Sequence, residues 1–173
     1  ADNICRIIAA MKGKSRRALV LDLDNTLWGG VIGDDGVDGI KIGNGDALGE
    51  AYLSVQNSIL KLHERGIVLA VCSKNTDSIA RTPFKEHSSM LVKEQHIASF
   101  QANWDDKASN IRSIANELNL GLDSIVFMDD NPMERDLVRK YLPQVAVPEL
   151  PEDPSYFSRT LLAAGYFEAV HFS

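Results

Sequence analysis

The chain has 173 residues, 45% hydrophobic and 24% charged, which is ordinary usage for one globular domain and excludes wholesale disorder. Eighteen Lys and Arg against 24 Asp and Glu leave a formal charge of −6, the wrong sign for a general nucleic-acid binder, which neutralises phosphates with a basic face. Two cysteines, Cys5 and Cys72, are too few for a disulfide framework, and no apolar run forms a signal-peptide core or approaches the roughly 18 residues that span a bilayer.

A chain with this balance is expected to be soluble and cytoplasmic, engaging neither nucleic acid nor membrane. It starts at Ala1 without a Met and stops at Ser173, the pattern expected of a domain cut from a longer protein or of a truncated stand-alone one. Residues 1–16 read as a lead-in, amphipathic around Ile4, Ile7 and Ile8 and basic at Lys12, Lys14 and Arg16, with Arg17 directly after it. Ala18–Leu21 is the first buried strand, bounded by Arg17 and Asp22. A glycine-rich insertion follows from Trp28 to Asp46. Leu48, Tyr52, Val55, Ile59 and Leu62 then form one helical stripe, with Gly66 placed to end it. Ile67–Cys72 is a second strand, followed by a short helix over Thr76–Arg81 that Pro83 should end, and by a polar stretch to His96.

A weaker strand lies around Ile97–Ala102, and Ala108, Ile111, Ile114, Ala115 and Leu118 mark a helix ending at Gly121. Ser124–Met128 is another strand and Val145–Val147 a short one. Asn131-Pro132 and Asp153-Pro154 are helix starts, the first helix running to about Tyr141 and the second, within a helical segment 149–173, to about Ala164. Strands that are apolar throughout and alternate with helices predict an α/β, doubly wound, mainly parallel sheet, as a single domain over 1–173 with a minimal flap after the first strand.

The chemistry-bearing residues cluster at predicted strand ends. Asp22 and Asp24 follow the first strand, two residues apart, so both can converge on one metal or one reacting atom. A carboxylate can attack phosphorus to give an aspartyl-phosphate, and a neighbour can protonate the leaving oxygen and then activate water. Ser73, Lys74 and Asn75 follow the second strand, where hydroxyl, ammonium and amide groups suit a phosphate. Lys107 opens a helix, where it opposes the macrodipole unless it serves an anion. Asp129 and Asp130, adjacent after a third strand, repel each other unless a cation lies between them. Oxygen ligands at Asp22, Asp24, Asp129 and Asp130 suit Mg²⁺.

The ordered set Asp22-x-Asp24-x-Thr26, Ser73, Lys107 and Asp129-Asp130 resembles the haloacid-dehalogenase (HAD) superfamily over roughly Ala18 to Pro148. The resemblance implies a Rossmann-like core with Asp22 as nucleophile and Asp24 as general acid/base. Thr26 would support the loop, and Ser73 and Lys107 would bind phosphate. Mg²⁺ would be held by Asp22, Asp130 and the backbone carbonyl of Asp24, with Asp129 helping to position that site. Leu27-Trp28-Gly29-Gly30-Val31-Ile32-Gly33, Val71–Asn75, Asn103-Trp104 and Phe127–Arg135 resemble, more narrowly, the FkbH-like branch. That likeness implies a phosphatase that takes a three-carbon unit from 1,3-bisphosphoglycerate and loads it as glyceryl onto an acyl carrier protein in polyketide biosynthesis.

Cys72, beside Ser73, is the candidate acyl acceptor, since a thiolate captures an acyl phosphate as a thioester; Cys5 is a weaker rival. Side chains alternate along a strand, so a Ser73 facing the phosphate would turn Cys72 toward a helix. A plain HAD-type phosphatase without acyl transfer is the enzymatic alternative. A phospho-acceptor signalling module is the non-enzymatic one, disfavoured because its acidic pair would come first and its acceptor on a middle strand.

Overall fold

Four apolar runs build one parallel sheet in the computed structural model, which describes residues 15–168. The strands are β1 (Ala18–Leu21), β2 (Val68–Lys74), β3 (Ile97–Asn103) and β4 (Ile125–Met128), in the order β3-β2-β1-β4. β1 and β4 are buried at every position, as a sheet covered on both faces requires. Alternation splits their side chains between two cores. Leu19, Leu21, Leu69, Val71, Val126 and Met128 face α2 (Ala47–Glu64) and α6 (Phe157–Ala163). Ala18, Val20, Ala70, Cys72, Ile125 and Phe127 face α4 (Lys107–Leu118) and α5 (Pro132–Tyr141). The fold class is as expected from the sequence; Cys5, Lys12, Lys14 and the amphipathic residues around Ile4 lie outside the described residues.

The strand order puts a topological switch between β1 and β4. Their ends are in step, Leu21 opposite Met128, and Asp22 N–H donates to Met128 O at 3.0 Å. Open α/β sheets bind ligands at the carboxyl edge of such a switch. The glycine-rich insertion lies over that edge. It contains a short helix the sequence did not reveal, α1 (Ile32–Gly39), broken at Gly36, whose φ of 70° lies in the left-handed region. Reciprocal backbone bonds between Gly29 and Lys41, at 2.9 and 2.7 Å, close the base of this flap.

Three local expectations are corrected. Pro83 lies inside α3 (Asp77–Glu86) instead of ending it. The carbonyl its missing N–H leaves open belongs to Ile79, and the Thr82 hydroxyl donates to it at 2.7 Å. α4 ends at Asn119, left-handed at φ 56°, two residues before Gly121. Val145–Val147 is no strand: flanked by Pro143 and Pro148, it makes one bridge, Ala146 to Val126. Prolines at both ends remove the donors that a longer ladder needs.

Gln56, fully buried on α2, fastens the flap side of the sheet. Its Nε2 donates to Leu27 O at 2.8 Å, and its Oε1 accepts from Leu91 N–H (2.9 Å) and Val92 N–H (3.0 Å). Gln56→Leu keeps much of the volume but strands three backbone groups, each worth about 1–3 kcal/mol when buried unpaired. Denaturant unfolding should show a loss of roughly 3 kcal/mol or more; a loss under about 1 kcal/mol would mean that these backbone groups are satisfied without the amide.

Candidate active site

Asp22, Asp129 and Asp130 leave adjacent strand ends and bring carboxylate oxygens within 4.8 Å of one another. Lys107, 4% exposed at the first position of α4, lies against two of them, its Nζ 2.9 Å from Asp22 Oδ1 and 2.6 Å from Asp129 Oδ2. The lysine that opposed its helix dipole thus serves protein carboxylates. Asp106 caps the same helix end by accepting from Ser109 N–H at 2.8 Å. The Thr26 hydroxyl, wholly buried, lies 3.2 Å from both Asp22 Oδ2 and Asp130 Oδ1 and accepts from Asp130 N–H at 3.1 Å. It orients two carboxylates with one proton.

Three carboxylates against one ammonium leave excess negative charge in a buried place. Burial raises Asp22 to about 6, against the opposing pull of Lys107, and Asp130 adds repulsion. Burial and the Asp22 charge raise Asp129 to about 6 as well. Burial alone would lower Lys107, but Asp22 and Asp129 outweigh it and hold the ammonium above its ordinary value. Converging hard oxygens with uncompensated charge are the donor set of a divalent ion such as Mg²⁺. Asp22, Asp129 and Asp130 fit that group, where the ion would offset the charge and polarise phosphoryl oxygens.

Asp24, half-buried, points its carboxylate elsewhere. Its Oδ1 accepts from Trp28 Nε1 (3.1 Å) and Ile32 N–H (2.9 Å), and its Oδ2 from Asn75 Nδ2 (3.2 Å). Burial raises its pKa above the ordinary aspartate value despite these donors. The turn that aims it passes through Asn25, left-handed at φ 59°, a conformation Asn tolerates better than most residues. Asn25 is locked there by Gly30 N–H donating to its Oδ1 at 2.8 Å.

Asp22, Asp24, Ser73, Lys74, Lys107, Asp129 and Asp130 all line one open pocket of about 250 Å³. Asn75, expected to bind phosphate, is instead buried as the tether of Asp24. Cys72 is not brought to the pocket. It has no exposure, packs with Ala108 and Ile111 beneath α4, and burial pushes its thiol up to about 12. The expectation of an acyl-accepting thiolate is corrected by strand alternation: Ser73 takes the pocket face, so its neighbour takes the core.

Asn131 caps α5 as its place before Pro132 predicts, while Glu134, one turn on, drew no role from the sequence; it is 3.6 Å from Lys74 Nζ and 3.8 Å from Lys107 Nζ. Behind them, buried Arg135 donates from Nη1 to Asp129 O (3.1 Å) and Asp130 O (2.9 Å), and from Nε to Glu149 Oε1 (3.0 Å). The signal available was an arginine one turn into a helix that starts directly at the acidic pair.

No family model and no curated protein matches the chain. Among solved structures, the N-terminal part of BF1531 from Bacteroides fragilis, containing a phosphatase domain and complexed with Mg, is 50% identical over 98% of this chain, with a TM-score of 0.93. The match takes in 45% of that chain, so the present sequence spans less than half its length. A HAD-family enzyme from Bacteroides thetaiotaomicron in a magnesium complex has 11% identity and a TM-score of 0.54, over 80% of this chain and 94% of its own. A haloacid-dehalogenase-like hydrolase from Xanthomonas campestris has 11% identity and a TM-score of 0.53, over 87% and 92%. These last two share the fold alone, a Rossmann-like α/β core. No described helix is long and apolar enough to cross a membrane.

The raised carboxylates make stability pH-dependent. A group protonated more readily when folded contributes stability below its unfolded pKa and loses it as pH rises through the folded value. Metal-free protein should therefore become less stable between about pH 4 and pH 6, the ordinary and the raised values for Asp22 and Asp129. Calorimetry should show Mg²⁺ raising Tm more at pH 7 than at pH 5, because protons and metal compete for the same oxygens. An equal gain at both pH values would place the metal elsewhere.

Proposed function

We propose that this chain is a Mg²⁺-dependent phosphatase in which Asp22 takes the phosphoryl group. The observation that carries the reading is the convergence of Asp22, Asp129 and Asp130 around Lys107, with Asp24 beside them in one pocket. The likeness to a Mg-complexed phosphatase domain at 50% identity supports it.

Lys107 on one oxygen of Asp22 and Thr26 on the other fix the carboxylate before substrate arrives. Asp22 attacks phosphorus, the bond to the leaving oxygen breaks, and Asp24 gives that oxygen its proton. The raised pKa of Asp24 keeps more of it in the acid form than an exposed aspartate would have. The resulting carboxylate then takes a proton from water, whose oxygen attacks the aspartyl-phosphate, releasing phosphate and regenerating Asp22. Ser73, with 2% exposure and lining the pocket, is placed to donate to a phosphoryl oxygen. Bound Mg²⁺ would supply charge neutralisation at the phosphoryl oxygens.

The resemblance of Leu27–Gly33 and Phe127–Arg135 to the FkbH-like branch extends the reading to one substrate. The donor is 1,3-bisphosphoglycerate and the acceptor is the phosphopantetheine thiol of an acyl carrier protein. The 3-phosphate is hydrolysed at Asp22 while the acyl phosphate is intact; the thiol sulfur then attacks the acyl carbon, the acyl–phosphate bond breaks with release of phosphate, and the thiol proton passes to solvent. With Cys72 sealed in the core, the acyl group passes directly to the carrier.

Asp22→Asn should lower phosphate release at least about 10³-fold with an unchanged far-ultraviolet spectrum, since an amide keeps the shape but not the nucleophile. Asp130→Ala should weaken Mg²⁺ binding more than Ser73→Ala does, by titration calorimetry. Full turnover in excess chelator would remove metal from the mechanism. For the finer reading, intact-mass analysis after incubation with Mg²⁺, 1,3-bisphosphoglycerate and carrier should find glyceryl on the carrier and none on this chain.

A further inference from the structure

The pocket holds five carboxylates, Asp22, Asp24, Asp129, Asp130 and Glu134, and only two cations. Lys107 is deep and already committed, within 2.9 Å of two aspartates. Lys74 is different. Its side chain is 40% exposed, it stands at the end of β2 one residue beyond Ser73, and its one ion pair among the described residues is to Glu134 at 3.6 Å, longer than a hydrogen bond. A pair of that length, its lysine end open to solvent, is weak, and Glu134 has a second lysine in Lys107, so the fold has small need of it. Its geometric effect is larger: Glu134 holds a flexible ammonium over the mouth of a negatively charged pocket.

We infer that Lys74 is a specificity residue that reads a second anionic group, a carboxylate or a further phosphate, on the part of the substrate that is not transferred. This rests on the phosphatase reading and narrows its substrate class to small phosphoesters or acyl phosphates bearing two anionic groups. Without such a cation, an anion flanking the reacting phosphoryl would meet Glu134 and Asp24 unopposed. With it, the second anion displaces Glu134 from a weak pair and gains a charge-assisted contact, while Glu134 keeps Lys107 at 3.8 Å. A phosphoester with an uncharged remainder cannot use that contact, so discrimination follows from charge alone.

The test compares kcat/KM for glycerol 3-phosphate, 3-phosphoglycerate and 2,3-bisphosphoglycerate, which differ in the anion beside the reacting group. Wild type should prefer the two anion-bearing esters by tenfold or more. Lys74→Met should reduce that preference about tenfold, mainly through KM, and Lys74→Arg should restore most of it. A Lys74→Met variant that loses activity equally on all three esters overturns the inference. If wild type hydrolyses none of them, the phosphatase reading fails, and the inference is then read from binding. Calorimetry on Mg²⁺-loaded Asp22→Asn should show 3-phosphoglycerate binding more tightly than glycerol 3-phosphate, with the difference abolished by Lys74→Met. Equal binding of the two esters overturns it.

Discussion

Burying one ammonium between two carboxylates is unfavourable for each charge alone and tolerable only for the three together. Lys107 lies against Asp22 from β1 and Asp129 from β4, so it joins the two strand ends that flank the switch in the sheet. Take the lysine away and two carboxylates remain, with no exposure to speak of and no counter-ion. Burial first, and repulsion from the neighbouring carboxylates after it, keeps Asp22 and Asp129 raised even with Lys107 in contact. The site is held in a state that a divalent ion completes, and charge demand, not shape, specifies what enters.

The flap adds a second dependence. Asp24 is not fixed by the sheet but by Trp28 and Ile32 of the insertion and by Asn75 after β2. Trp28 is itself buried edge-on against Phe84 of α3, with ring centroids 5.9 Å apart. Phe84 packs in turn on Phe100 of β3 at 5.6 Å. The carboxylate of Asp24 is thus anchored through an aromatic chain that crosses from the flap to the sheet. Gly30 makes the tight turn possible: its φ of 96° suits glycine, and a Cβ there would fall 2.6 Å from Asp35 Oδ2.

Strands and helices with strong periodicity were legible because burial imposes it. Ala18–Leu21 and Ile125–Met128 could lie only in the middle of a covered sheet, and Asp22, Asp129 and Asp130 followed from counting residues past them. What escaped depends on partners distant in sequence. α1 could not be read from a stretch with five glycines, because packing on α3 holds it and propensity does not. Pro83 misled because its open carbonyl is satisfied by the adjacent Thr82, a local exchange that no general rule for proline in helices includes. Alternation puts Cys72 in the core once Ser73 takes the pocket, but β2 ends at Lys74, and there the period lapses: adjacent Ser73 and Lys74 both line the pocket while Asn75 is buried as a tether. Glu134 carries no signal until Lys74 and Lys107 are seen on either side of it.

Arg135 shows where the boundary of a working site falls. Its guanidinium gathers the backbone carbonyls of Asp129 and Asp130 and is itself held by Glu149, which Arg139 grips from the other side at 3.1 Å. The pocket takes its last side chain, Glu134, from the first turn of α5, yet the clamp that sets the acidic pair closes only at Glu149, beyond Pro148. A segment that lends nothing to the pocket therefore braces it. The smallest piece of this chain that could be grafted elsewhere with its acidic pair still braced extends past Glu149, not merely past the last carboxylate of the pocket.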